Sequence, residues 1–514
     1  MAAELAIEEN LKSFLLVLSV SLSVATLPQV FSWFRQIPYT LLLVIVGLGL
    51  AFVDIRLVNL SPELILSIFL PPLLFEAAWN LKWQALKKDW VPIGLYAIIG
   101  VVIAIVGIAF GVSQFTALPI GAALLIGASL SATDPVSVTA LFRELGADKR
   151  LTTLMEGESL FNDGMAVVAF GFLFTVAVNQ AQVTAQSALL ELITVVGIGV
   201  AVGGLIGFGI SYLTQRFDLP LVEQSLTLVS AYGTYIITED LGGSGVIGVV
   251  TTALILGNFG SRIGMNPRTR IIVSEFWEFL AFFVNSIVFL LIGDQVQFPT
   301  LLENMPTILV TIVAMTIARA IAVFALGAVS NQAVKSEISI PVQIILWWGG
   351  LRGSVSIALA LSLPNSLEGR DTVIATVFGV VLFTLLVQGL TTKPLLLRLR
   401  LAGDQPLQQT YSEAVARQLA LQRSLAKLEE AKTRPGIDEE FLRYQGTLIQ
   451  GEIRRLEEKV DNLRDEHPNL VAFMENQLKS ELLAIEAESY AEFVQEGWLN
   501  SELAPFLQPG GAHD

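Results

Sequence analysis

Thirteen runs of roughly 17–25 mainly apolar residues recur along the first four hundred positions, each long enough to cross a hydrocarbon core of ~30 Å. They centre near residues 23, 47, 70, 101, 124, 167, 201, 230, 251, 283, 315, 350 and 384. Such a chain is expected to be an all-α polytopic membrane protein with about thirteen transmembrane helices. Composition points the same way: only 15% of residues are charged, where soluble globular chains carry about 25%. No charged n-region with a cleavage site precedes the first run, so no removable signal peptide is expected.

Cysteine is absent, which removes disulfides, thiolate metal sites and thiol chemistry together. The two histidines, His467 and His513, lie in the polar stretch beyond residue 400. A serine or zinc protease acting inside the membrane would need histidine among its apolar segments, so those enzyme classes fail. The net charge of −15 is concentrated in the tail, where residues 401–514 hold 21 acidic and 11 basic side chains. No basic stripe points to nucleic acid.

Loop charge orients the chain. Fifteen lysines and arginines, from Arg35 to Arg400, fall on one set of alternating loops, and only Lys12, Arg56 and Arg370 fall on the other. Basic loops favour the cytoplasm. The reading is therefore N-terminus outside and C-terminus inside, with residues 1–400 as the membrane domain and 401–514 as a cytoplasmic helical tail. Within that tail, residues 410–433, 437–466 and 468–498 read as amphipathic helices separated by Arg434-Pro435-Gly436 and His467-Pro468. Leu419, Leu421, Leu425 and Leu428 recur on the first at helical spacing. A solvated helical domain, dimerising or regulatory, accounts for it; no P-loop or Gly-x-Gly-x-x-Gly is present.

Two apolar segments carry breaks. In the fifth, Pro135 follows Asp134 and lacks a backbone donor, while Ser131, Thr133 and Ser137 offer substitute partners. In the twelfth, Gly349-Gly350-Leu351-Arg352-Gly353 interrupts the run. Broken helices in comparable positions of two halves point to a transporter built from inverted repeats, with a cation site where the breaks expose carbonyls and half-helix ends.

The sixth run opens on Glu156-Gly157-Glu158-Ser159-Leu160-Phe161-Asn162-Asp163. An ionised side chain at such depth costs about 2.5–3.5 kcal/mol or more unless paired or hydrated, so these groups need partners or a function. At ~100° per residue, Asn162 lies about 40° from Glu158 and Asp163 about 140° from it. One helix thus offers Glu158 to one neighbour and Asp163 to another. Arg319, deep in the eleventh run, requires an acidic partner. Glu158 is expected to pair with it, leaving Asp163 to hold a proton or a cation.

Four motifs in this order resemble the monovalent cation/proton antiporters of the CPA1 branch, the NhaP- and NHE-like sodium/proton exchangers. They are Phe69-Leu-Pro-Pro-Leu-Leu-Phe-Glu76-Ala77, Ala132-Thr133-Asp134-Pro135, Gly157-Glu158-Ser159-Leu160-Phe161-Asn162-Asp163 and Gly349-Gly350-Leu351-Arg352-Gly353. The resemblance spans roughly residues 10–400 and implies the antiporter fold, with inverted repeats and two broken, crossing helices. It implies further that Asp163 carries proton or cation, that Asp134, the Thr133 carbonyl and Ser159 contribute to the ion site, and that Glu76 acts from further off through water. Asn162 is implied to belong to the ion site as well, standing where electrogenic relatives carry a second aspartate, which implies electroneutral one-for-one exchange. Glu158 and Arg319 match the family's ion bridge, and Arg352 matches the arginine of its second broken helix.

The expected activity is therefore exchange of Na+ or Li+ for H+ in a cell membrane by a homodimer embedded in lipid, with no cofactor and no enzymatic step. A K+/H+ exchanger of the same fold is the nearest alternative. A cation channel is the alternative of another class, but repeated carbonyl filters and rings of like charge are missing. An intramembrane aspartyl protease would need a Gly-x-Gly-Asp signature, which neither Asp134 nor Asp163 has.

Overall fold

In lipid no water serves exposed amides, so each apolar run closes its hydrogen bonds internally as helix. The computed structural model describes residues 2–31, 34, 37–55, 57–58, 60–179, 185–216, 219–261, 265–334, 336–402, 405–431, 438–467 and scattered positions from 470 to 498. Among the described residues every regular element is helical. The chain divides into two compact units, Met1–Arg143 with Ala147–Ala402, and Glu144–Gly146 with Gly403–Asp514.

The larger unit starts with α1 (Ala2–Val30), α2 (Tyr39–Phe52), α3 (Leu64–Asn80) and α4 (Trp90–Phe115). The half-helices α5 (Ile120–Ser129) and α6 (Val136–Leu145) follow, then α7 (Lys149–Asn179), α8 (Ala185–Thr214), α9 (Pro220–Asp240) and α10 (Gly245–Gly260). Next come α11 (Pro267–Asp294), α12 (Met305–Val334), the half-helices α13 (Ile340–Trp348) and α14 (Ser354–Leu361), and α15 (Arg370–Arg398). Every one of the thirteen sequence centres falls on one of these helices or on the break between two halves. Six described helices are long and apolar enough to cross a bilayer unaided, while five shorter apolar helical stretches, one of them Phe14–Leu27 within α1, have only 10–17 residues. The shortening has local causes: Pro38 and Pro119 delay the starts of α2 and α5, for example.

Between helices in lipid, association depends on close packing of small residues. Gly47 of α2 faces the Leu290 carbonyl of α11, and Gly293 of α11 faces the Val44 carbonyl of α2, so a side chain at either would enter backbone. A second anchor joins three helices: Trp277 of α11 stacks on Phe75 of α3 at 4.1 Å between ring centroids and donates to Thr227 Oγ1 of α9 at 3.0 Å. These contacts hold α2, α3 and α11 around the ends of the broken helices.

The two breaks cross. The Asp134 amide donates to the Leu351 carbonyl at 2.8 Å, joining the extended segment after α5 to the one after α13. Arg352 Nη1 donates back to the carbonyls of Ala132 and Ser131 at 2.8 and 3.1 Å. From α15, Thr384 Oγ1 accepts the Arg352 amide at 3.1 Å, at the start of a π-helical turn, Thr384–Gly389. Orphaned backbone groups at the break of α13 are thus served by the other break and by a neighbouring helix, as buried polar backbone requires.

In the smaller unit, α16 (Gln405–Ala431) packs on α17 (Glu439–Glu466), whose first turn is capped by Asp438 accepting the Glu440 amide at 3.0 Å. The buried seam contains Tyr411 and Ala414 of α16 with Leu456 and Val460 of α17, and Leu407, Val415 and Leu421 pack against it. Leu419, expected on the apolar stripe, is 52% exposed, because the seam runs through Leu407, Tyr411, Ala414 and Leu421 at three-and-four spacing instead. The third tail helix expected over 468–498 lies for the most part outside the described residues.

Candidate functional site

α7 presents its polar residues on two faces, as the ~100° rotation per residue requires. Ser159 and Asp163, four residues apart, line a cavity of about 300 Å3, and Glu156 lines it from one turn earlier. Glu158 and Asn162, also four apart, line a separate space of about 20 Å3. The carboxylates of one motif therefore sit in two different environments.

The larger cavity brings together Glu76 of α3, Thr133 and Asp134 of the first break, and Ser159 and Asp163 of α7. Asp134 Oδ1 accepts the Val136 amide at 3.0 Å, placing its carboxylate on the first turn of α6, where free amides and the helix dipole favour negative charge. Its other side lies against Gly353, the residue before α14: a Cβ there would collide with the Asp134 carboxylate. Asp134 thus occupies the gap between the N-terminal ends of both second half-helices.

Thr133 is held from three directions. Its amide donates to Asn162 Oδ1 at 3.2 Å, its hydroxyl accepts Asn162 Nδ2 at 2.7 Å, and its carbonyl accepts the Ser159 hydroxyl. The structure thus places Asn162 outside the larger cavity, with both ends of its amide engaged on Thr133. Asp163 differs from all of these. Its Oδ1 is buried and accepts no hydrogen bond, an unusual state for a carboxylate oxygen. Among the described residues no three His, Cys, Asp or Glu side chains converge as a metal-ion cage. Where the first break meets α7, the cavity brings together two carboxylates, Asp134 and Asp163, with the Ser159 hydroxyl and the Thr133 backbone, an oxygen set suited to a hard cation.

The smaller space contains the opposite arrangement. Arg319 of α12 donates to Glu158 Oε1 at 2.9 Å and to Oε2 at 3.3 Å. It also donates to the Trp347 and Leu346 carbonyls, at 3.1 and 2.8 Å, at the C-terminal end of α13. Gly350 makes room, since a Cβ there would run into the guanidinium. Arg352 does for α5 what Arg319 does for α13: each guanidinium covers the carbonyl end of a broken helix, where positive charge is favoured.

Residues that sequence reasoning did not bring to the cavity also line it, among them Tyr39, Asn80, Glu278 and Asn285. Asn80 Nδ2 donates to Glu76 Oε1 at 2.6 Å. Glu278 carried a usable signal, being an acidic residue in the apolar stretch of α11. Tyr39 and Asn285 carried none. Glu156 opens the sixth apolar run, but α7 begins two turns earlier at Lys149; Glu156 accepts Arg143 Nη2 at 2.8 Å, and both line the cavity.

Known proteins resemble this chain in sequence and in fold. The family described as sodium/hydrogen exchanger, transmembrane, matches residues 18–398. The Na+/H+ antiporter ApNhaP of Aphanothece halophytica is 61% identical over 506 residues, which cover 98% of this chain and 97% of that protein. The low-affinity Na+/H+ antiporter NhaS1 of Synechocystis sp. is 56% identical over 507 residues, covering 98% and 96%. In three dimensions the chain is similar to the sodium proton antiporter MjNhaP1 from Methanocaldococcus jannaschii, with a TM-score of 0.64 at 21% identity over 78% of this chain and 100% of that one. That last likeness is one of fold.

Proposed function

Because the chain belongs to the family of transmembrane sodium/hydrogen exchangers, we infer that it exchanges Na+ for H+ through one carboxylate, Asp163, that holds either ion but never both. The observation that carries this reading is Asp163 itself, which lines the same cavity as Asp134, Thr133 and Ser159 while its buried Oδ1 accepts no hydrogen bond. Asp163 and Asp134 would bind the cation directly, with the Ser159 hydroxyl and the Thr133 carbonyl completing the first layer. Glu76 would act through water. Asn162 would serve by holding Thr133 rather than by touching the ion. Glu158, Arg319 and Arg352 would keep the broken helices intact throughout the cycle.

Coupling follows from electrostatics. A protonated Asp163 and a Na+-loaded Asp163 carry the same net charge, so both can traverse the low-dielectric barrier. The empty carboxylate adds a bare charge, which costs several kcal/mol there and holds it back. Exchange is then electroneutral, one for one, and obligatory. Access alternates as the bundle containing α5, α6, α7, α13 and α14 rocks against the remaining helices. Li+ and K+ fit the same oxygen set chemically; the names of the relatives favour Na+. We place the multi-pass chain in the cell membrane as a homodimer, N-terminus outside, with residues 401–514 as a cytoplasmic domain that regulates or dimerises.

Proteoliposomes with an inward Na+ gradient test this reading. Wild type is expected to release protons at a rate unaffected by an imposed membrane potential, and to need more Na+ for half-maximal exchange as pH falls. Asp163→Asn is expected to reduce exchange to background. Normal exchange by that variant, or a wild-type rate that follows the potential, would overturn it.

A further inference from the structure

An apolar crevice of the membrane unit, about 680 Å3, has no role in ion exchange as derived above. It lies between the short helix Trp83–Lys88 with the start of α4 on one side and α7, α8 and α10 on the other. Its volume falls within the ~300–1,000 Å3 of ordinary ligand pockets. It opens outward, since Trp83 and Trp90 at its rim are 54% and 67% exposed. Its back wall is the reverse side of the ion-site helix: Leu160 lines both this crevice and the ion cavity.

The lining defines the ligand. Lys87 is its one charged side chain, and the Thr251 hydroxyl is already used, donating to the Ile247 carbonyl at 2.8 Å. The crevice therefore offers apolar walls and a single ammonium group, a match for an amphiphile with a long hydrocarbon chain and an anionic head. The rim has the composition of a membrane interface, with Lys82, Lys87 and Lys88 interleaved with Trp83 and Trp90. It is also rigidly held. Buried Asp89 accepts Arg150 Nη2 at 2.6 Å and Nε at 3.0 Å, and the same guanidinium donates to the Ser336 carbonyl.

We propose that an anionic phospholipid of the leaflet on the side of the basic loops seats an acyl chain in this crevice with its phosphate on Lys87. The bound chain lies against α7 at Leu160, which also lines the ion cavity. This site does not depend on which ion is transported, so its test can be read apart from exchange.

Gly94 supplies the decisive variant. It lines the crevice in ordinary helical geometry (φ −63°), and a Cβ there meets nothing within 4 Å. Gly94→Phe is thus expected to fill the space without disturbing the fold. Native mass spectrometry of the full chain, purified and offered an equal mixture of phosphatidylglycerol and phosphatidylcholine, is the measurement. Wild type is expected to retain phosphatidylglycerol preferentially. Lys87→Gln should lower that preference about fivefold, the effect of one lysine at an anionic surface. Gly94→Phe should lose the retained lipid at an unchanged melting temperature. Equal retention of both lipids by wild type, or retention unchanged in both variants, would overturn the proposal. So would conversion of a dimer to monomers by Gly94→Phe, which would make a second copy of the chain the occupant.

Discussion

On one side of α7, Glu158 and Asn162 face a space of about 20 Å3, where Glu158 is bound by two nitrogens of Arg319 and Asn162 by the amide and the hydroxyl of Thr133. On the other side, Ser159 and Asp163 face about 300 Å3, and one oxygen of Asp163 has no partner at all. The two carboxylates are five residues apart on the same helix. Depth in the membrane is thus a poor guide to what an ionisable group does. What separates Glu158 from Asp163 is whether neighbouring helices bring it a counter-charge or leave it room.

Glu158→Gln should produce the largest effect on stability. It leaves the Arg319 guanidinium without a counter-charge, among neutral acceptors such as the Leu346 and Trp347 carbonyls, and removing one partner of a buried pair costs about 3–5 kcal/mol. Asp163→Asn removes a carboxylate from the face with room, so its melting temperature should match or exceed wild type while exchange is lost. Thermal unfolding of both variants in one detergent decides the matter. An unstable Asp163→Asn beside a stable Glu158→Gln would invert the comparison.

The glycines of the second break divide along the same line. Gly350 backs Arg319 and Gly353 backs Asp134, each too closely for a Cβ. Overpacking of this kind costs about 1–3 kcal/mol. In Gly350→Ala the cost should appear mainly as lowered melting temperature, because the ion pair is displaced. In Gly353→Ala it should appear mainly as raised half-saturating Na+, because the Asp134 carboxylate is pushed from its place. Equal effects of both alanines on both measurements would dissolve the distinction.

Much of this division could be read before any coordinates. Helical angle alone separates Glu158 from Asp163, and the need of a buried arginine for an acid leads from Arg319 to Glu158. Pro135 and the run from Gly349 to Gly353 mark both breaks, since each removes a donor or a side chain that a continuous helix would use. Spacing also put Asn162 on the Glu158 face, although family resemblance placed it among the ion-site residues. Its engagement on Thr133 depends on how close the first break approaches α7, which no periodicity encodes. Glu278 was detectable by the rule that flagged Glu158, as an acid inside an apolar run. Tyr39 and Asn285 were not, because uncharged polar residues are common in such runs and only the packing of α2 and α11 brings these two to the cavity. Leu419 failed for a related reason: several stripes on one amphipathic helix satisfy the spacing, and the partner helix selects among them.

A smaller effect is expected at Asn162. Alanine there removes both bonds to Thr133, each worth about 0.5–1.5 kcal/mol net. If Asn162 serves the ion site only by holding Thr133, half-saturating Na+ should rise by about fivefold with exchange still electroneutral. Complete loss of exchange would move Asn162 across to the ion-bearing face.

The smallest effect is expected at the mouth of the larger cavity. Arg143 pairs with Glu156 at 2.8 Å, but its side chain is 65% exposed, and exposed pairs contribute about 0–1 kcal/mol. Arg143→Gln should therefore leave the melting temperature nearly unchanged. Its consequence should be electrostatic: with the guanidinium gone, Glu156 adds a net negative charge to a wall that already carries Glu76 and Glu278. Local Na+ rises, and half-saturating Na+ should fall by about twofold at low ionic strength. Choline chloride should erase the difference, because charges this close to water are screened within about 10 Å at 0.1 M salt. Persistence of the effect in high salt, or a drop in melting temperature comparable to that of Glu158→Gln, would mean that Arg143 and Glu156 form a second structural pair, and that the larger cavity is braced by charge in the same way as the smaller one.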